Sequence, residues 1–325
     1  MKKFLLLIID LLFLTRPIII VPVWAFCAFG IYSADKGLFT HLWPDQYLLI
    51  LLYSLAPAAV YIINQMADYE VDKANEGFPL LVRCNIPMKA AGIFAAVCAL
   101  TSILGLMMMG YGTIAFLALI AIIAGCIYSC KPFSLSGRPF LDFLTNAFEA
   151  FLAFAAGWCV SGASGCVRGG ELFRDAPELY IRALPYFLLM CSGSISSTLP
   201  DIRGDRAHGK ITTAVRFGPK TAHCTALGCL LTVIPVSLLI SNDYLALICA
   251  LLVIPVYIPY LFNSKKSIYM ELPHKAGGAV VMLAAATILP VLLPAGIAVY
   301  FMTWLYFRLR HKVSYPSLKS GGTDV

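Results

Sequence analysis

Residues 46–72 read QYLLILLYSLAPAAVYIINQMADYEVD. An apolar run of about 20 residues, the length that spans a bilayer as a helix, ends here in a polar cluster. Asn64, Asp68 and Asp72 recur every fourth residue, so on a helix they form one stripe. Asn64 lies at the end of the apolar run, where polar groups are costly. An amide carbonyl and two carboxylates on one stripe suit a hard cation, and magnesium is commonly held by one or two carboxylates plus substrate phosphates.

A second stretch, Asp201-Ile202-Arg203-Gly204-Asp205-Arg206, also follows an apolar run. Asp201 and Asp205 share a helical face, and the two acid pairs repeat at a single offset along the chain. Arg203, Arg206 and Lys210 stand around the second pair. Acids hold a metal and bases hold phosphate oxygens, so the mixture fits a metal–diphosphate complex. Gly204 and Gly209 let the loop come close to a ligand. A third polar stretch, Tyr128 through Pro139, carries Lys131 and Arg138 and is followed by Asp142 and Asn146. Its two cations suit either phosphate contact or the ordinary excess of basic residues in inside loops.

The whole chain is 60% hydrophobic and 13% charged, with mean hydropathy +0.83. A soluble domain is about a quarter charged, so much of this surface faces lipid. The short alternating segments of a β-barrel are missing, and the class is an all-α polytopic membrane protein. The net charge of +7 reads as the basic bias of inside loops rather than as a nucleic-acid surface. Cysteines such as Cys98, Cys126, Cys159, Cys229 and Cys249 lie inside apolar runs and read as small packing residues. The N-terminal apolar segment is interrupted by Asp10. It is expected to form an interfacial helix leading into the first span rather than a cleaved signal.

Nine spans are expected, roughly 17–33, 46–67, 88–109, 112–130, 139–161, 180–199, 219–240, 243–262 and 277–305. They are expected to surround one central cavity. The last contains Pro290 and Pro294 and is read as one kinked helix; splitting it would make ten. With the N-terminus inside, inside segments carry twice the Lys and Arg of outside segments, and both acidic motifs face the cytoplasm. The basic stretch Arg308–Lys312 then falls outside, against that rule. The membrane is expected to be a bacterial or archaeal plasma membrane. Residues 1–325 are expected to form a single domain: two pseudo-similar four-helix halves, 17–130 and 139–262, and a last helix.

These stretches resemble the UbiA superfamily of intramembrane prenyltransferases. Asn64, Asp68 and Asp72 match that family's N-x-x-x-D-x-x-x-D, and Asp201 and Asp205 its D-x-x-x-D. Tyr128 through Asp142 resembles its loop between helices 4 and 5, Arg16-Pro17 its N-terminal entry, and Gly209 through Gly218 the segment after the second motif. The likeness covers most of the chain in order. The chain departs from it at Gln65, where many members have Asp, and at Gly77-Phe78-Pro79-Leu80, where many have Arg-Pro. Arg83 is the candidate replacement for that cation.

The resemblance implies magnesium-dependent transfer of a polyprenyl group from a prenyl diphosphate, releasing diphosphate. The acceptor is expected to be aromatic (a quinone precursor) or lipid-type. Asp68, Asp72, Asp201 and Asp205 are then the catalytic carboxylates and, with Asn64, the metal ligands. Asn64, Lys131, Arg138, Arg203, Arg206, Lys210 and Arg83 would hold the diphosphate. Tyr61, Tyr69 and Tyr128, with Phe133 beside them, would line a cavity where aromatic faces shelter an allylic cation. The partners are prenyl diphosphate, the acceptor and membrane lipid, with no nucleic acid. His223 is the only histidine inside an expected span, and no histidine base is expected. The alternative is a transporter using the paired aspartates as an ion site. Such sites usually lie near mid-membrane on broken helices, whereas these acids sit at helix ends.

Overall fold

The computed structural model describes residues 2–70, 80–84, 86–161, 176–263, 268–313 and 315. Every regular element among them is helical. In order the α-helices are α1 (Lys2–Leu14), α2 (Pro17–Asp35), α3 (Pro44–Ala67), the single turn α4 (Leu80–Arg83), α5 (Met88–Met108), α6 (Gly112–Ser129) and α7 (Leu141–Val160). Then come α8 (Ala176–Thr198), the short α9 (Ile202–Ala207) and α10 (Thr213–Phe217), α11 (Pro219–Val236), α12 (Tyr244–Phe262), α13 (Ile268–Ile288) and α14 (Leu292–His311).

Local chemistry sets several of these boundaries. Pro17, Pro44 and Pro219 each open a helix, where the missing N–H leaves nothing unpaired. Arg16 takes a left-handed backbone (φ 53°) that turns the chain from α1 into α2. Asp243 caps α12 by accepting from Leu245 N–H at 3.1 Å and Ala246 N–H at 3.0 Å.

Among the described residues, nine helices are long and apolar enough to cross a membrane. Exposed Val97, Leu104, Met108, Leu239, Leu252 and Phe262 give the outer wall an apolar face suited to lipid. The expected ninth span, 277–305, is corrected: it is two helices, parted at Leu289–Val291. Pro290 lacks a donor and its ring clashes with the preceding turn, so the helix ends instead of bending. α13, with Glu271, His274 and Lys275 in its first half, is a 21-residue helix in addition to the nine.

α13 runs from the motif face to the opposite end of the helix bundle. Its far end meets the α2–α3 connection, where Phe39 N–H donates to Thr287 O (2.8 Å) and Thr40 N–H to Ile288 O (2.7 Å). Its start lies beside Asp201, within reach of that carboxyl through Glu271 and His274. α14 then returns and meets α1. Arg310 pairs with Asp10 at 3.1 Å, Tyr306 OH donates to Asp10 at 2.8 Å, and the Phe13 and Tyr306 rings stack. α1 and the end of α14 therefore share one face, and both acidic motifs open on it. The basic stretch Arg308–Lys312 moves to that face with them. Among the described residues, only Lys36 and Arg182 remain as cations of the opposite face.

Candidate active site

α3 ends at the motif face with Asn64 and Asp68 one turn apart. The Asn64 amide donates to Ser129 Oγ at the end of α6 (3.2 Å) and to Asp68 Oδ2 (3.4 Å). Lys210 reaches Asp68 from the other half of the chain, with Nζ 3.3 Å from Oδ1 and 3.4 Å from Oδ2. The Lys210 backbone N–H donates to Asp205 O (2.9 Å), and the Asp205 N–H to Asp201 O (2.9 Å). One lysine thus ties the first motif to the second. Asp72 lies outside the described residues.

The third loop is pinned to the same place. Ile211 N–H donates to Gly137 O (3.1 Å). Buried Asp142, at the start of α7, accepts from Thr213 N–H (2.7 Å) and Thr213 Oγ1–H (2.6 Å). Thr213 Oγ1 in turn accepts from Phe140 N–H (2.7 Å). A buried carboxylate with two short bonds is a rigid anchor, and it fixes the segment three residues beyond Lys210. Lys131 and Arg138 stay exposed on this loop, Arg138 donating to Pro132 O (3.2 Å). Arg203 and Arg206 are exposed on α9 and form no ion pair among the described residues. Arg83 sits beside His311 at the end of α14, grouped with the α1–α14 contact rather than with Lys210.

Burial raises the carboxyls of Asp201 and Asp205 above the usual carboxylate range. Glu271 adds to the effect at Asp201. At Asp205 Lys210 opposes it and Asp201 adds to it. Asn64 and Asp68 on the first motif and Asp201 and Asp205 on the second carry oxygen donors of the type a hard divalent cation takes.

Behind the motifs lies an apolar cavity of about 610 Å³. Its wall takes residues from α2, α3, α6, α7, α8, α11, α12 and α13, including Phe26, Tyr53, Tyr61, Ser194, Tyr257 and His274. Of the three tyrosines expected in it, Tyr61 lines it. Tyr128 stands at its edge, its hydroxyl 3.5 Å from the amide of the lining residue Asn146. Tyr69 is corrected: it packs on the separate cluster built on Leu14, Ile62 and Leu81. Phe133, 53% exposed, points to solvent.

A model of the UbiA prenyltransferase family matches residues 23–276. The chain belongs to that family. This prenyltransferase is 32% identical over 236 residues to the digeranylgeranylglyceryl phosphate synthase of Sulfolobus acidocaldarius, a match covering 69% of the chain and 78% of that relative. It is 29% identical over 172 residues to the chloroplastic 2-acylphloroglucinol 4-prenyltransferase of Humulus lupulus, covering 52% of the chain and 40% of the relative. The structure of a UbiA homologue from Archaeoglobus fulgidus, bound to DMAPP and Mg2+, superposes with a TM-score of 0.65. That match covers 89% of this chain and 98% of the other at 22% identity.

The prenyltransferase fold explains what sequence reasoning missed. Gln65, one of the departures, is buried and donates to Leu14 O (2.7 Å) and Tyr61 O (3.0 Å). It locks α1 onto α3, a job no metal ligand is free to do. His274 was hidden because the expected span began at residue 277. Glu149 was passed over, although a carboxyl inside an apolar run is itself a signal.

Proposed function

We propose that this prenyltransferase uses magnesium to transfer a polyprenyl group from its diphosphate to a hydroxyl-bearing, lipid-type acceptor. The observation that supports the reading is the Lys210–Asp68 pair, which links the first acidic motif to the segment carrying the second, with an apolar cavity lined by Tyr61, three residues before Asn64. Asn64, Asp68, Asp201 and Asp205, with Asp72, would hold the ion. When bound, magnesium supplies positive charge to the diphosphate leaving group. Lys210, with Arg203, Arg206, Lys131 and Arg138 on the surrounding loops, adds cationic donors for phosphate oxygens. Such donors accelerate the reaction where charge grows in the transition state. The apolar wall excludes water from the allylic cation.

The acceptor class rests on the Sulfolobus relative, whose named product is a glyceryl phosphate bearing two geranylgeranyl chains. A transfer giving such a product ends on a glyceryl oxygen. The phloroglucinol relative, matched over a smaller share of its length, supports an aromatic acceptor as the second reading. We place the motif face at the cytoplasm, because the basic residues gather there. We also read the chain as one domain of two similar halves. Each half has two long helices, a segment with short helices, then two more long helices.

The test uses the purified full chain in lipid. Magnesium-dependent diphosphate release is assayed with labelled donors and a panel of glyceryl and phenolic acceptors, and products are identified by mass. Asp68→Asn and Asp201→Asn are expected to lower turnover at least 100-fold while the protein stays folded. Full activity in either variant would remove the metal assignment.

A further inference from the structure

The cavity wall contains one group that donor binding does not use. Glu149 lines the cavity from α7, seven residues beyond the Asp142 anchor and so roughly 10 Å deeper along the helix. It is the only acid lining the cavity among the described residues. Its Oε1 is buried and has no hydrogen-bond partner. No described residue forms an ion pair with it. Several other polar groups of the wall are occupied. Asn146 donates to Ser194 (2.8 Å), the Tyr257 hydroxyl bonds Ser192 and Ser196, and His274 bonds the Gly193 backbone.

A carboxyl held without a partner in an apolar membrane interior is costly to the fold, and such residues mark substrate or proton sites. Position supports this reading. Asp142, Asn146 and Glu149 fall at i, i+4 and i+7, one stripe leading from the motif mouth into the cavity. Tyr128 stands between the two regions, within electrostatic reach of both Glu149 and Asp68. A helical side chain leans back toward its N-terminus, so Glu149 reaches from the cavity toward Tyr128 and the motif face, along the path of a donor whose diphosphate is at the motifs and whose chain is in the cavity.

We propose that Glu149 is the acceptor-side base: its carboxylate accepts the hydrogen bond of the acceptor's hydroxyl and takes that proton during transfer. The proposal rests on the prenyl-transfer reading above. In the step, the hydroxyl oxygen bonds to C1 of the prenyl group. The bond from C1 to the diphosphate oxygen breaks, and its electron pair leaves with diphosphate. The hydroxyl proton moves to Glu149. Tyr53 and Tyr61 of α3, Tyr128 of α6, Cys249 and Tyr257 of α12 and His274 of α13 are the titratable groups facing this region among the described residues, and Arg16 acts on Tyr61 from the head of α2.

The test compares wild type, Glu149→Gln, Glu149→Asp and Asp68→Asn as full chains in lipid nanodiscs. Donor affinity is measured by calorimetry with an uncleavable thio-diphosphate analogue and magnesium. Transfer is measured with a glyceryl monoether phosphate and a phenol. Glu149→Gln should bind the analogue as wild type does and lose at least 100-fold in kcat. Wild type should lose kcat on acidification, Glu149→Gln should lack that fall, and Glu149→Asp should recover part of the rate. The assignment is overturned if Glu149→Gln keeps kcat within threefold with an unchanged pH profile. It is equally overturned if donor affinity falls in parallel with kcat, since Glu149 would then be a packing or donor-side residue. Should wild type bind the analogue yet transfer to neither hydroxyl acceptor, the base role falls while the donor site stands. Undiminished analogue binding in Asp68→Asn would instead sink the metal reading and leave the Glu149 result standing on its own.

Discussion

At Asp201 and Asp205 burial is the first cause of a raised carboxyl pKa, and neighbouring acids add to it. A raised folded value means that the fold prefers the protonated form. These two groups therefore stabilise the metal-free protein at low pH, and that contribution is lost as pH rises through the raised values. Cation binding needs the ionised form, so the ion stabilises most where the metal-free protein is weakest. The expected outcome is a magnesium-induced rise of a few degrees in thermal midpoint at pH 7.5, shrinking toward zero as pH falls into the carboxylate range. Scanning fluorimetry of the detergent-solubilised protein reads it directly. An equal rise at both ends would exclude this pair from ion binding. The motif residues could be read from the chain because a four-residue spacing on one helix is local information. Gln65, Glu149 and His274 could not be read so simply. Gln65 owes its place to Leu14, 51 residues away, and the other two acquire meaning only when eight helices close around a cavity.

Between elements, α2 and α7 cross backbone to backbone. A Cβ on Gly30 would overlap the Phe154 carbonyl, and one on Gly157 would overlap the Cys27 carbonyl. Small residues at a membrane helix crossing let backbones meet, and van der Waals packing then holds the pair where lipid gives little hydrophobic drive. This crossing also fixes α7, which carries the Asp142 anchor and Glu149. Gly157→Leu is expected to cost at least about 1–3 kcal/mol, because the backbone has to move. Gly228→Ala, where nothing lies within 4 Å, serves as the control and should be nearly neutral. Denaturation in mixed detergent would measure both, and a neutral Gly157→Leu would refute the close crossing. Helix lengths were legible because bilayer thickness imposes them. The α13–α14 break was not, since proline in a membrane helix ends it or merely kinks it depending on what neighbours supply.

At the scale of the whole molecule, the separation of α13 from α14 changes the parity of the chain. α13 runs from Asp201 to the α2–α3 connection, and α14 runs back to Asp10. A single span over 277–305 leaves Arg308, Arg310 and Lys312 opposite the motifs, against the charge bias. Two helices put them on the motif face, where that bias is satisfied. We propose that α13 is a tenth crossing, since parity and charge bias then agree. The expected outcome is that a fluorescent-protein fusion after Lys312 reports the same side as a fusion within the Lys131–Arg138 loop. A fusion in the Phe39–Thr40 connection should report the other side. Opposite readings at Lys312 and the Lys131–Arg138 loop would mean that α13 and α14 do not both cross. The Asp10–Arg310 pair would then have to be broken in the membrane, and Arg310→Ala would leave the fusion pattern and the stability unchanged. With ten crossings, Arg310→Ala instead loosens α1 from α14, exposing a buried carboxylate that Tyr306 alone has to hold.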